Sequence, residues 1–458
     1  MEDMKNGKRS SFSGKLGYVL AAAGASVGLG NIWRFPYLAA KYGGGIFLII
    51  YIVLALTFGY TMIVAETAIG RMTRKSPVGA FKSFGKKKWL SFGGWINAVI
   101  PVLIVPYYSV IGGWVIKYLV EYFRGNAKLL AEDGYFTDFI SNGMSTELCF
   151  VAFCAFTLII IFAGVQNGIE RVSKIMMPIL IVLSVIIAVY SVTRPGALAG
   201  VKYFLVPNVK NFSWMTVVAA MGQMFYSLSI AMGILITFGS YMKKDTAIED
   251  STRNVEIFDT GIAIMAGLMI IPAVFAFSGG DPDTLQAGPS LMFITIPKVF
   301  QNMGFGTVIG IVFFLLVLFA AVTSSIALTE SAVSTFEDEL GWGRKKATVL
   351  VGVIMLALGS LSSLGYGPLA GIKIIGMQFL DLFDFLTNSV MMPIAALLTS
   401  LLVSRVVGID KIEDEIIHGE SAFRRKKVFV VMIKYLCPVF AIIILLSSVA
   451  NALGWIKM

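Results

Sequence analysis

The sequence predicts an all-α polytopic membrane protein: two inverted five-helix repeats, each opening on a broken span, with an eleventh span added. Three observations predict it. Of the 458 residues 57% are hydrophobic and only 14% charged, and the mean hydropathy of +0.82 matches no soluble domain of this size. Apolar runs long enough to cross a bilayer at ~1.5 Å per helical residue recur along the whole chain. Two of these runs, five spans apart, are interrupted at mid-depth by glycine and polar residues.

The polar segment 1–14 lacks a signal-peptide cleavage pattern, so the apolar run after it is expected to be retained. That run, 15–37, carries Gly24-Ala25-Ser26-Val27-Gly28-Leu29-Gly30-Asn31 at its centre. Glycine is poor in a helix interior because it surrenders the most backbone freedom. Taken alone, the stretch leaves two readings open. Gly24 and Gly28 form a GxxxG packing seam, or the helix unwinds and its freed peptide groups face protein, water or a solute.

Spans 44–69, 93–123, 146–165 and 173–193 complete a first repeat over 15–193. Span 6, at 212–241, is interrupted in its turn by Gly222-Gln223-Met224-Phe225-Tyr226-Ser227-Leu228-Ser229-Ile230-Ala231-Met232-Gly233. With five spans per half the halves are inverted, and paired breaks at matching places favour unwinding and a central site between them. The second repeat, 194–403, continues with spans 257–279, 304–335, 346–365 and 370–403. A loop over 404–426 and the segment 427–458, with its span at 427–455, end the chain.

Charge sets the orientation. The loop after span 2 carries Arg71, Arg74, Lys75, Lys82, Lys86, Lys87 and Lys88 with no acid, and the loops after spans 4, 6, 8 and 10 are basic too. The N-terminus is therefore expected in the cytoplasm and the C-terminus outside, in a cell inner (plasma) membrane. The net charge of +10 is spent on these loops, so no nucleic-acid partner is implied. Cys149, Cys154 and Cys437 lie in apolar segments and the lone histidine, His418, in a charged loop. That leaves no disulfide framework, no Cys/His metal site and no nucleophile with a histidine base. No phosphate-cradling loop accompanies the spans, so neither an enzyme nor an ATP-driven pump is expected.

At the breaks the residues resemble a known family, the neurotransmitter:sodium symporters of the leucine-transporter fold. The matching strings are GASVGLGNIWRFPY (24–37), KYGGGIF (41–47), ETAIGR (66–71), PYYSVIGGW (106–114), GIERVSKIMMP (168–178), GQMFYSLSIAMG (222–233), AAVTSSIAL (320–328), FEDEL (336–340) and LDLFDF (380–385), in family order. The resemblance implies sodium-driven uptake of a small amino-acid-like solute by alternating access. A sodium-gated channel, or an amino-acid-binding receptor without net transport, is the alternative, though no filter loop or signalling domain is present. No oligomeric state is specified.

Sodium is a hard cation and wants several oxygens at short range, as calcium and magnesium do. By resemblance, one sodium site takes the Ser26 carbonyl, Asn31, Ser227 and Asp259 together with the substrate carboxylate. A second takes the Gly24, Val27 and Ala320 carbonyls and the Thr323 and Ser324 hydroxyls, although hydroxyls in a membrane helix can simply bond back to the preceding turn. An intramembrane acid such as Asp259 is costly unless paired. Because it opens span 7 as read here, snorkelling to the surface is the competing role. As the fixed negative charge, Asp259 would make chloride unnecessary and take up a proton when sodium leaves.

The substrate carboxylate is expected at the Leu29 and Gly30 N–H groups, where a half-helix begins, and at the Tyr108 hydroxyl. The ammonium group should meet oxygens of Ser26, Tyr226, Ser227 and Ser229. The side-chain wall of Ile104, Tyr108, Tyr226, Met232, Ser324 and Leu328 is nearly all apolar, which implies a hydrophobic L-amino acid, aliphatic or aromatic. Arg34 and Asp384 resemble an outer gate above Tyr108 and Tyr226. Arg9 and Asp338 resemble an inner gate helped by Tyr241 and Glu330, with Phe12 where the family has tryptophan. Gly168 and Pro178 resemble a motif at the start of span 5 that unwinds to admit water. Glu66 is read as a hydrogen-bonding partner of the breaks.

Overall fold

In hydrocarbon every peptide group must find its partner within its own segment, so apolar runs become helices. The computed structural model describes residues 9–279, 288–452 and 455; the first eight residues of the N-terminal segment and the end of the C-terminal one lie outside the described residues. The chain opens on α1 (Lys15–Ser26) and α2 (Gly30–Lys41), which meet at a bend of 53°. After them come α3 (Gly45–Thr73), α4 (Lys88–Phe123), α5 (Gly143–Phe162) and α6 (Val165–Val192). The second half has α7 (Trp214–Ser227) and α8 (Ile234–Ser240), then α9 (Ile248–Ser278), α10 (Gly306–Leu340), α11 (Arg344–Leu364) and α12 (Phe379–Val407), and finally α13 (Lys426–Asn451). Among the described residues nine helices are long and apolar enough to cross a membrane, and the bent α1–α2 pair makes a tenth. The expected eleventh requires joining α7 to α8 across 228–233.

Three helix starts differ most from expectation. α6 begins at Val165 rather than 173, because Glu170 is satisfied by the Ser13 N–H (2.9 Å) and by Lys174 (2.6 Å) and so does not end the helix. α9 begins at Ile248 rather than 257, since Glu249 and Asp250 in its first turn suit the positive end of the helix dipole. Asp259 consequently sits inside α9, fully buried, which removes the snorkelling role. α12 begins at Phe379 rather than 370, because left-handed Ile375 and Gly376 turn the preceding chain back on itself through the Ile374–Met377 bridge.

Both breaks lie where glycine and polar residues interrupt the apolar pattern. α1 stops at Ser26 and Val27 is extended, so Gly28 lies in the break and the GxxxG seam does not form. After α7, Ser229 (φ 53°), Ala231 (φ 58°) and Gly233 (φ 71°) are left-handed. A non-glycine residue held there costs on the order of 1–3 kcal/mol unless its surroundings enforce it. Here they do. The Ala231 N–H donates to Glu66 on α3 (2.8 Å), and the Ser229 hydroxyl donates to the Ala25 carbonyl at the other break (3.0 Å).

α1 packs against α6, α9 and α10, and α8 against α3. The α3–α8 contact is backbone on backbone: a Cβ on Gly70 would lie 2.0 Å from the Ile236 carbonyl oxygen, and one on Gly239 2.5 Å from that of Thr67. Close approach through small residues is how helices gain packing where lipid supplies no hydrophobic drive. It holds the half-helix α8 against the later part of α3, while α7 packs against the first part of the same helix.

Candidate functional site

The two breaks face each other around a small cavity. Its lining holds every residue expected at the substrate except one: Ser26, Leu29, Gly30, Ile104, Tyr108, Tyr226, Ser229, Met232, Ser324 and Leu328. Ala25, Gly28 and Asn31 join them; Ser227 does not. The lining contains no ionisable carboxylate or amine. At the polar end the Leu29 N–H donates to the Tyr108 hydroxyl (3.2 Å), and Gln223 Nε2 donates to the Gly30 carbonyl (3.0 Å). Gly28 and Gly30 are small by necessity: added Cβ atoms would come within 2.6 Å of Ser324 Oγ and 2.3 Å of the Tyr226 ring.

Ser227 belongs instead to a network behind this wall. Asp259 receives the Ser227 hydroxyl and Asn31 Nδ2 on Oδ1, each at 2.8 Å, and the Tyr51 hydroxyl on Oδ2 at 2.9 Å. Asn31 Nδ2 also donates to Ser227 Oγ (2.9 Å), while Asn31 Oδ1 accepts the Gly28 N–H (3.2 Å). All four side chains are buried, and among the described residues no lysine or arginine pairs with Asp259. A buried carboxylate met only by neutral donors has no cation to balance its ionised form, so the donor set suits a cation of high oxygen preference. The sequence does not single out Tyr51, because it sits in an unbroken apolar run; the signal is a mid-membrane phenol, which needs a partner.

At the second expected ion position the Ser324 hydroxyl lies 3.2 Å from the Gly24 carbonyl oxygen, 3.1 Å from that of Ala25 and 3.3 Å from that of Val27. Thr323 behaves differently. Its hydroxyl donates back to the Phe319 carbonyl (3.0 Å), with the Ala320 carbonyl at 3.2 Å. The local back-bond thus holds for Thr323, whose side chain is pressed against Gly24, while Ser324 reaches across to the broken helix.

The expected inner pair is formed. Arg9 pairs with Asp338 and also donates to Ser334 (2.7 Å) and Ser240 (3.1 Å), its guanidinium 5.1 Å from the Tyr241 ring centroid. Tyr241 donates to Glu330 (2.7 Å), which Arg344 holds bidentately at 3.0 and 2.6 Å. Phe12 fills the expected aromatic position, its ring edge-on to Phe238 at 5.5 Å. The outer pair is not formed. Arg34 lies over the Tyr226 ring (5.4 Å) and Asp384 is taken by Tyr107 (3.1 Å) and Asn388, so no ion pair joins Arg34 to Asp384 among the described residues. Both line a larger cavity open on that side, where a solvated pair would be worth little. Tyr226 lines both cavities and is the partition between them. Nor is the Gly168 motif unwound: Val165–Glu170 is a π-helical turn that runs straight into the helix containing Pro178. Glu170 ties that turn to Ser13, which is the physical reason it stays wound.

Arg9→Gln should loosen this seal. Losing a charge-assisted hydrogen bond of about 1.5 kcal/mol implies roughly tenfold more frequent opening. A cysteine at buried Ser331, in a background with the native cysteines replaced, should be labelled about that much faster from the Arg9 side. An unchanged labelling rate would count against the gate.

A model of the sodium:neurotransmitter symporter family matches residues 9–130 and 121–454. An uncharacterized sodium-dependent transporter, YhdH of Bacillus subtilis, is 34% identical over 450 residues, spanning 97% of this chain and 99% of its own length. The human sodium- and chloride-dependent GABA transporter 2 is 26% identical over 474 residues, 89% of this chain and 75% of its own. The crystal structure of MhsT in complex with L-phenylalanine superposes with a TM-score of 0.86 at 34% identity, covering 96% of this chain and all of that one.

Proposed function

The chain belongs to the sodium:neurotransmitter symporter family, a sodium-dependent membrane transporter and not an enzyme, and from that premise we propose that it imports hydrophobic L-amino acids, aliphatic or aromatic, with two sodium ions and without chloride. The observation that carries the substrate class is the lining of the central cavity: freed backbone at one end, Ile104, Met232, Leu328 and two tyrosines at the other, and no charge between. A charged side chain would be stranded there at a cost of several kcal/mol. That the related MhsT binds L-phenylalanine supports the same reading.

In the proposed complex the amino acid's carboxylate takes the Leu29 N–H from Tyr108 and shares the Tyr108 hydroxyl, while its ammonium faces the carbonyls of Ser26 and Tyr226 and the oxygen of Ser229. Half a turn of the Asn31 amide exchanges its oxygen and nitrogen, so that Oδ1, Ser227, Asp259 and the Ser26 carbonyl ring the first sodium. Rotation of Thr323 away from its own helix completes the second, with Ser324 and the Gly24, Val27 and Ala320 carbonyls. Asp259 then supplies the balancing negative charge and is free to take up a proton once sodium has left. Pairing of Arg34 with Asp384 over Tyr226 closes the outside. Release follows when the Arg9–Asp338 seal breaks and α6 unwinds between Gly168 and Pro178. In this scheme 15–193 and 194–403 are the inverted repeats and the Arg9 face is cytoplasmic.

The test is competition of all twenty amino acids against labelled leucine, with and without sodium. Leucine, methionine, phenylalanine, tyrosine and tryptophan should compete, in sodium only. Competition by lysine or glutamate at equal concentration would refute the apolar pocket.

A further inference from the structure

We propose that the cavity between the start of α6 and the start of α11, on the Arg9 face, binds the headgroup of an anionic phospholipid. Four cations line it, Arg9, Arg344, Lys345 and Lys346, and no acid does. Arg9 and Arg344 are committed to Asp338 and Glu330. Lys345 and Lys346 are exposed and form no ion pair among the described residues.

Their placement is electrostatically awkward. α11 begins at Arg344, after Gly343, with no side-chain cap and no acid in its first turn, where all three of its opening residues are basic. Cations at the positive end of a helix dipole are unfavourable, and an anion there is favourable. α6 also starts on this cavity, from uncapped Gly164 with no acid in its first turn. Membrane orientation calls for positive charge on this face, but not for its convergence with two uncapped helix starts on one cavity. A phosphate group in the cavity satisfies both.

The surroundings select a lipid over a free anion. α5 ends where α11 begins, and the two pack side by side. Ile159 and Phe162 on α5 and Val349 and Val353 on α11 stay exposed next to the cavity, an apolar track for acyl chains. Trp342 stands exposed at its mouth, as indole rings do at headgroup level. The reading requires that the chain lie in a membrane and is independent of which solute it carries.

Native mass spectrometry of the full chain in neutral detergent tests it, with phosphatidylglycerol and phosphatidylcholine of equal chain length as probes. Phosphatidylglycerol should bind roughly tenfold more tightly, and Lys345→Gln/Lys346→Gln should remove most of that preference. Sodium-dependent leucine binding should be unchanged in that variant, which shows it folded. Val349→Gln/Val353→Gln should weaken phosphatidylglycerol while its charge preference over the zwitterionic lipid persists. Equal binding of the two lipids, an unaltered preference in the lysine variant, or displacement of phosphatidylglycerol by equimolar inorganic phosphate would overturn the proposal.

Discussion

Asp259→Asn should weaken sodium-dependent amino-acid binding about a thousand-fold in sodium concentration, the largest effect expected of any single substitution. The variant keeps the size and most of the hydrogen bonds of a side chain held by Asn31, Ser227 and Tyr51, and loses only its charge. Two unit charges ~4 Å apart are worth ~4 kcal/mol at an effective dielectric near 20, and ~1.4 kcal/mol is a factor of ten. In the unaltered protein, replacing chloride by gluconate should leave uptake within about twofold, because the compensating charge is already built in. Scintillation-proximity binding of labelled leucine over a sodium series measures the first effect, and vesicle uptake the second. A sodium dependence within tenfold of the unaltered protein, or uptake that collapses in gluconate, would remove Asp259 from the site.

Gly30→Ala should cost at least two orders of magnitude in amino-acid affinity. Its Cβ would lie 2.3 and 2.4 Å from two carbons of the Tyr226 ring, and Arg34 covers that ring from the outer cavity. The ring can then move only into the central cavity or out against Arg34, and overpacking of this kind costs about 1–3 kcal/mol before any ligand contact is lost. Gly222→Ala is the control. It sits on the neighbouring half-helix, where an added Cβ meets nothing nearer than Arg34 at 4.0 Å, and affinity should stay close to that of the parent chain. Equal losses in both would point to general destabilisation rather than to Tyr226.

Much of this arrangement was legible in the residues. A run of glycines around Ser26 and Asn31 leaves a packing seam and a break both open, and it is the second polar interruption around Ser227 and Ser229, five spans later, that favours two breaks with a site between them. What escaped reading was set by partners remote in sequence. Tyr51 looks like any apolar-helix residue until Asp259 is placed opposite it. The early starts of α6 and α9 depend on Glu170 meeting Ser13 and on Glu249 meeting the Arg424 and Arg425 backbone, contacts that local hydropathy does not contain. Nor do the residues themselves say which charged pairs are made: Arg9–Asp338 is formed and Arg34–Asp384 is not, although both were equally legible as pairs.

Sodium-gradient-driven uptake in proteoliposomes tests the central claim most directly. With sodium outside only and no chloride on either side, labelled leucine or phenylalanine should accumulate above its external concentration and leak back when the gradient is collapsed. Uptake that merely equilibrates, or that proceeds equally well with sodium on both sides, would contradict coupled import.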